Sequence, residues 1–241
     1  MTTTDHPFAA AQWIFIEGDP SPANCYLAAR KTFALEAAPD TATLHISADS
    51  RYVLYVNGCR VGRGPNRCWP FDQQYDSHDV ARYLRAGENV IAVLVHHIGV
   101  STYQYMPGRG GLIARLEAGG GTLVESDASW SVAPHTGWRR SVPRAAMQMG
   151  WAEQYDAREG LDGWTKPGFD DSAWASAVEI GPVGAEPWVG MSAREIPFLT
   201  AEPVYPVRFV SAETVRPPQH TINIRFNDYL PAGELADPVA A

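Results

Sequence analysis

Arg51-Tyr52-Val53-Leu54-Tyr55-Val56-Asn57-Gly58 joins a run of aromatic and β-branched side chains to an Asn-Gly pair. Those side chains suit a pleated strand with one face buried. Asn-Gly suits a two-residue type I′ turn, in which both central residues take positive φ. Cys59-Arg60-Val61-Gly62 then predicts the returning strand of a β-hairpin. Upstream, residues 41–48 alternate apolar and polar positions, and residues 26–35 are strand-like. Trp13-Ile14-Phe15-Ile16 is a short apolar run closed by Gly18-Asp19-Pro20. Alternation with a period of two marks a half-buried strand.

Downstream of the hairpin, residues 63–71 read as a loop rich in Gly, Pro and Trp, and residues 79–84 as one helical turn ended by Arg85-Ala86-Gly87. Asn89-Val90-Ile91-Ala92-Val93-Leu94-Val95 is almost continuously apolar, as expected of a strand covered on both faces. Residues 112–117 and 122–125 flank Gly119-Gly120-Gly121 and predict another hairpin, followed by Trp130-Ser131-Val132. Many short strands, frequent turn signals and no long amphipathic helix predict an all-β fold, an antiparallel jelly-roll β-sandwich. After Pro134 the strand pattern fades. Trp130, Trp138, Trp164, Trp174 and Trp188 are expected to pack an irregular segment against the sandwich. Pro206-Val207-Arg208-Phe209-Val210 and Thr221-Ile222-Asn223-Ile224-Arg225-Phe226 predict the start of a further β domain. The expected organisation is a flexible N-terminus (1–11), the sandwich with its irregular segment (12–200), the opening of a second β domain (201–230) and a disordered tail (231–241).

The 241 residues suffice for one large β domain plus a second element. With 27 acidic and 19 basic residues, the net charge of -8 leaves no basic stripe to meet nucleic-acid phosphates, and nucleic acid is excluded as a partner. No run approaches the roughly 20 apolar residues of a membrane helix. Residues 1–12 lack the basic start and apolar core of a signal peptide. Cys25, Cys59 and Cys68 are odd in number and lack zinc-site spacing, so free thiols in a reducing, cytoplasmic setting are expected. Gly62-Arg63-Gly64-Pro65 lacks the Lys-Ser/Thr of a phosphate loop, and no Gly-x-Ser-x-Gly nucleophile elbow occurs.

Several motifs in order resemble one known module. They are Trp13-Ile14, Asp49 with residues 51–58, Asp79-Val80 with Leu84, Gly87-Glu88-Asn89 with Ile91-Ala92-Val93, and Gly163-Trp164 with Phe169-Asp170-Asp171-Ser172-Ala173-Trp174. The module is the β-sandwich ahead of the catalytic domain in α-L-rhamnosidases of glycoside hydrolase family 78, similar to the rhamnose-binding modules of carbohydrate-binding family 67. The resemblance covers about residues 12–200 and implies a galactose-binding-like jelly roll. It also implies a non-catalytic role, with the family's (α/α)₆ catalytic barrel absent from this chain and supplied in cis or in trans. L-Rhamnose or rhamnosides are the implied ligands. The alternatives are a purely structural sandwich that assembles with a separate catalytic chain, and a self-contained glycosidase.

In the rhamnose-binding modules, an Asp-Asn pair before the hairpin strand binds calcium and sugar; the matching pair here is Asp49-Ser50. Calcium takes six to eight oxygens, and Asn66, Asp72 and Asp76 are nearby candidates to complete a set around Asp49 and Ser50. No cofactor is required. The structural alternative is that Asp49 merely turns the chain. Trp69, Phe71, Tyr75, Tyr103 and Tyr105 fall in the two long loops after the hairpin and the buried strand. Their rings could stack on a pyranose or could cap the end of the core. The segment Trp151-Ala152-Glu153-Gln154-Tyr155-Asp156-Ala157-Arg158 resembles a recurrent rhamnosidase loop. Asp156 and Arg158 are its candidates for sugar hydroxyls, and Trp151 and Tyr155 for stacking. Glu153 and Asp156 are the carboxylate pair a self-contained glycosidase would need. The plainer alternative is an Asp156–Arg158 pair pinning the loop. His96 and His97 are successive strand positions and should point to opposite faces, which argues against a shared metal.

Overall fold

The computed structural model describes residues 6–8, 10–144, 146 and 148–214. The chain separates into two units, residues 1–194 and 195–241. Among its described residues the first unit holds thirteen strands: β1 Gln12–Phe15, β2 Cys25–Leu35, β3 Ala42–Asp49, β4 Arg51–Val56, β5 Cys59–Gly64, β6 Asp72–Asp79, β7 Gly87–His97, β8 Gly111–Ala118, β9 Gly121–Glu125, β10 Ser131–Pro134, β11 Ala175–Ser176, β12 Val178–Pro182 and β13 Gly190–Ala193. One sheet runs β12-β1-β8-β3-β6-β13, with β9 also paired to β8. The other runs β11-β10-β2-β7-β4-β5. The two form a jelly-roll-type β-sandwich.

The hairpin forms as read. Asn57 and Gly58 take φ of 51° and 82°. The Asn57 amide donates to Tyr83 O and to Asn89 Oδ1, both at 2.8 Å, and its carbonyl accepts from Val90 N. The turn is thereby tied to the 3₁₀ turn at Ala81–Tyr83 that residues 79–84 predict. Between the sheets lie Leu44 and Ile46 of β3, Leu54 and Val56 of β4, Val93 and Val95 of β7, and Leu112 and Leu116 of β8. Strand β7 is covered on its other face too. There Ala92, with Ala28 of β2, meets Trp164 and Phe169 of the irregular segment. That double cover accounts for its unbroken apolar sequence.

Four expectations change. Strand β6, Asp72-Gln73-Gln74-Tyr75-Asp76-Ser77-His78-Asp79, breaks the apolar alternation because buried positions on both its faces are polar and find partners far away in sequence. Gln73 donates to Ser47 Oγ and Ala48 O, and Asp76 pairs with Arg194. The segment after Pro134 is irregular only to about residue 174; β11, β12 and β13 then return to the sheet edges. Edge positions tolerate the Gly and Pro that hid them. Nor is the pairing wholly antiparallel: β13 runs parallel to β6, which it reaches by a long return rather than a hairpin. Finally, in the stretch expected to be flexible, Phe8 and Ala11 are fully buried with Trp13, Ile113 and Trp188 in a second core outside the first sheet.

In the second unit, residues 195–214 contain no strand, and Val207, in the run expected to form one, is 99% exposed. Residues 221–226 and the tail at 231–241 lie outside the described residues.

Candidate functional site

The chain passes from the first sheet to the second at Asp49-Ser50-Arg51, across a cis peptide bond between Asp49 and Ser50. Asp49 ends β3 in the interior, 2% exposed. Its Oδ1 accepts a 2.7 Å hydrogen bond from the Tyr105 hydroxyl, and its Oδ2 accepts one of 3.1 Å from Trp188 Nε1. His97 Nδ1 lies 3.2 Å from the Asp49 carbonyl oxygen. Burial, reinforced by the Asp49 carboxylate, pushes the Tyr105 phenol far above its ordinary pKa, so it remains a donor. Trp188 in turn stacks on Trp13 at 3.9 Å. A Cβ on Gly111 would meet the Trp188 ring at 2.4 Å, so only glycine leaves room for it.

Above Asp49, the loops at 65–71 and 98–110 wall a cleft with two adjoining lobes. The smaller, about 100 Å³, is lined by Asp49, Ser50, Arg51, Asn66, Arg67 and Gln104, among others. The larger, about 660 Å³, includes Trp69, Asp72, Gln74, Tyr103 and Met106. Tyr105, Arg67 and Gln104 belong to both. Trp69 and Phe71 lie parallel, 5.9 Å apart at 8°, each more than half exposed, and Tyr103 is 73% exposed. Cys68 also lines both lobes. Burial pushes its thiol up to about 11, which keeps it protonated and weakly nucleophilic.

Of the residues expected to form a site, Asp49, Ser50, Trp69, Tyr103 and Tyr105 come together in this cleft. Tyr75 does not. It lies on β6, its ring edge-on to Phe8 and His45 over the second core, because the strand that was missed carries it away from the loop. The 151–158 segment does not line the cleft either. Trp151 braces the wall from behind by donating to Ile98 O at 2.8 Å. Tyr155 packs on Trp138, and Glu153 is exposed. Asp156 accepts from the Arg158 backbone and guanidinium, the latter at 2.6 Å, and these bonds hold its carboxyl well below the usual range. The pair is local, two residues apart, and the Arg158 side chain is 89% exposed, so it shapes the loop without tying it to the sandwich.

His96 and His97 point to opposite faces. His97 is fully buried beside Asp49, while His96 stacks at 4.0 Å on Tyr26, which stacks on Trp138 at 4.6 Å. Arg51, Arg67 and Gln104 line the cleft and Trp188 holds Asp49 from the buried side; sequence reasoning gave none of the four a place at the site. For Trp188 no local signal exists, since 139 positions separate it from Asp49.

The donor set does not fit calcium. Among the described residues Asp49 is the only carboxylate lining the smaller lobe, and Ser50 Oγ accepts from Ile98 N. Asp76 is fully buried in a separate cluster with Tyr52 and Arg194, and two arginines line the same lobe. Among the described residues no group of three or more His, Cys, Asp or Glu could hold a metal ion. Nor is any helix among them long and apolar enough to cross a membrane.

A jelly-roll-type sandwich whose end loops wall an aromatic-rimmed cleft defines a class of domain shared by enzymes and lectins. Residues 37–208 match the family model of the α-L-rhamnosidase N-terminal domain, and the chain belongs to that family. The crystal structure of the family 78 rhamnosidase of Bacillus sp. GL1 is similar at 50% identity and a TM-score of 0.79, over 82% of this chain and 21% of that one. The α-L-rhamnosidase of Streptomyces avermitilis is 32% identical over 187 residues, 74% of this chain and 15% of that protein. Its structure, solved in complex with L-rhamnose, superposes with a TM-score of 0.55 at 28% identity over 74% of this chain and 15% of that one. The Pleurotus ostreatus lectin, solved with GalNAc, is similar at 26% identity and a TM-score of 0.54, over 80% of this chain and 48% of the lectin. The chain spans 15–18% of the length of the curated relatives it matches.

Proposed function

We propose that this domain is a non-catalytic carbohydrate-binding module that serves an α-L-rhamnosidase catalytic domain, in cis or in trans, by holding L-rhamnose or a rhamnoside in the cleft above Asp49. The observation that carries this reading is the convergence of a fixed carboxylate with exposed aromatic faces on one loop-walled cleft. Each Asp49 oxygen has a second lone pair beyond the one given to Tyr105 or Trp188, so it can still accept from a sugar hydroxyl. Trp69 and Tyr103 offer flat surfaces to the apolar face of a pyranose. The family membership and the likeness to a lectin support the same ligand class.

Calorimetric titration with L-rhamnose and methyl α-L-rhamnoside, with calcium and with a chelator, tests it. Binding is expected in both solutions, with no turnover of an aryl rhamnoside. No heat at millimolar sugar would leave the sandwich a scaffold only.

A further inference from the structure

We propose that Arg144 is a positioning residue for the cleft: from behind the wall it holds the loop at 98–110 in the shape that meets the ligand, without touching the ligand itself. This rests on the carbohydrate-binding reading above and adds to it a residue outside the cleft. The loop is irregular throughout, so its backbone groups have no sheet partner and must be met in other ways. Its ends are fixed to the turn at 20–23. Gly99 takes a φ of 67°, and a Cβ there would come within 2.6 Å of Ala23 Cα. Gly110 N donates to Pro20 O at 2.8 Å, and Ser21 Oγ donates to Gly108 O.

The middle of the loop brings Tyr103, Gln104 and Tyr105 to the cleft and is held from two sides. From the floor, Asp49 accepts from the Tyr105 hydroxyl. From behind, Arg144 Nη2 donates to Ser101 O at 2.9 Å and to Met149 O at 3.1 Å, and its Nε donates to the same Met149 carbonyl at 3.3 Å. One guanidinium thus joins the loop to the segment behind it. Tyr103 N donates to Gln148 O at 3.4 Å, and Trp151 Nε1 donates to Ile98 O. A guanidinium suits this place because it offers five donors and no acceptor to two segments with carbonyls to satisfy. Its bonds carry a charge and are roughly twice as strong as those between neutral groups. Neither Arg144 nor Trp151 lines either lobe, so any effect of theirs on a ligand passes through the loop. With the loop released, binding has to order Tyr103 and Gln104 first, and affinity falls by that cost.

The test combines amide hydrogen exchange with calorimetric titration of L-rhamnose, both on the full chain. The Thr102, Tyr103 and Gln104 amides are hydrogen-bonded in the intact loop. In Arg144→Met they should exchange about tenfold faster, while β4 and β7 exchange as in the wild type. Affinity for L-rhamnose should fall about tenfold in the same variant. Arg144→Lys keeps the charge but not the planar fork and should restore part of both effects. Trp151→Phe removes a second tie and gives an independent reading if Arg144→Met does not fold. Arg139→Gln, which breaks only the exposed pair with Glu159, should change neither quantity. Unchanged exchange in both Arg144→Met and Trp151→Phe, or faster exchange with undiminished affinity, would overturn this inference and leave the carbohydrate reading standing. An equal rise in exchange over β4 and β7 would overturn it too, because that marks a loss of global stability. No binding by the wild type would overturn the carbohydrate reading and the positioning role with it. Loop exchange needs no sugar, and its response to Arg144→Met would then show which of the two had failed.

Discussion

His96 lies on the outer face of β7, its ring against Tyr26, with Asn24 Oδ1 3.0 Å from its Nε2. Burial, with the positive Arg51 and the neighbouring His97 acting in the same direction, pushes its pKa down to about 3 from 6.5. Between those values the unfolded chain binds a proton that the folded chain refuses. Stability therefore rises with pH in this window and is lost as pH falls below about 6.5. Once the unfolded imidazole is charged, the loss is ~1.4 kcal/mol per pH unit. From about pH 7 to about pH 4.5 it sums to ~2.5 kcal/mol, or roughly 5–10 °C in melting temperature for a domain of this size. His45, His78 and His135 are shifted downward by burial as well and add to the slope with the same sign. The informative comparison is thus between the wild type and His96→Gln, which keeps a polar group near Asn24 but does not titrate. Thermal melts followed by circular dichroism across this range should show the variant less stable near neutrality and visibly flatter in acid. Parallel curves for the two proteins would refute the assignment of the acid sensitivity to His96.

Three further outcomes are expected. Gly64→Ala places a Cβ 1.9 Å from Asp76 Oδ2 and 2.9 Å from the Tyr52 ring. It should cost about 2–4 kcal/mol in denaturant titrations, or prevent soluble expression. Trp188→Phe removes the Nε1 donor of a buried carboxylate and alters the stacked pair with Trp13. A loss of about 1–3 kcal/mol is expected, together with a changed near-ultraviolet dichroism spectrum. Asn57→Ala breaks three hydrogen bonds at a residue of positive φ. Its cost should be about 2 kcal/mol or more, measured by chemical unfolding.

The parts of the fold that could be read early were those in which local chemistry and tertiary environment agree. The Asn57-Gly58 turn needs two positive φ values and has the residues that supply them. Strand β7 is apolar throughout because both its faces are covered. Strand β6 escaped because Gln73, Asp76 and His78 are buried while being polar, Gln73 on one face and the other two on the opposite one, and the partners that make this tolerable come from Ser47, Arg194 and Tyr52. No window of sequence contains those partners. The candidate site divides in the same way. Asp49, Trp69, Tyr103 and Tyr105 could be named from loop position and residue type. Tyr75 was misplaced because its strand was not recognised. Arg51 and Arg67 carry no local signal because an exposed arginine is ordinary until the fold shows which cleft it lines.

The bond from Trp188 to Asp49 also bears on how the domain is made. A chain emerging from the ribosome has β3, β4, β7 and both cleft loops available well before residue 188. At that stage Asp49 can meet Tyr105 and His97, while the slot that Gly111 leaves open still awaits the indole. Strand β1 likewise waits for β12 and β6 for β13, so both edges of the first sheet are closed by late arrivals. Maturation of the cleft is therefore tied to the end of the domain's synthesis, not its beginning. A nascent chain stalled short of residue 188 would carry the cleft walls around a carboxylate still missing one of its donors.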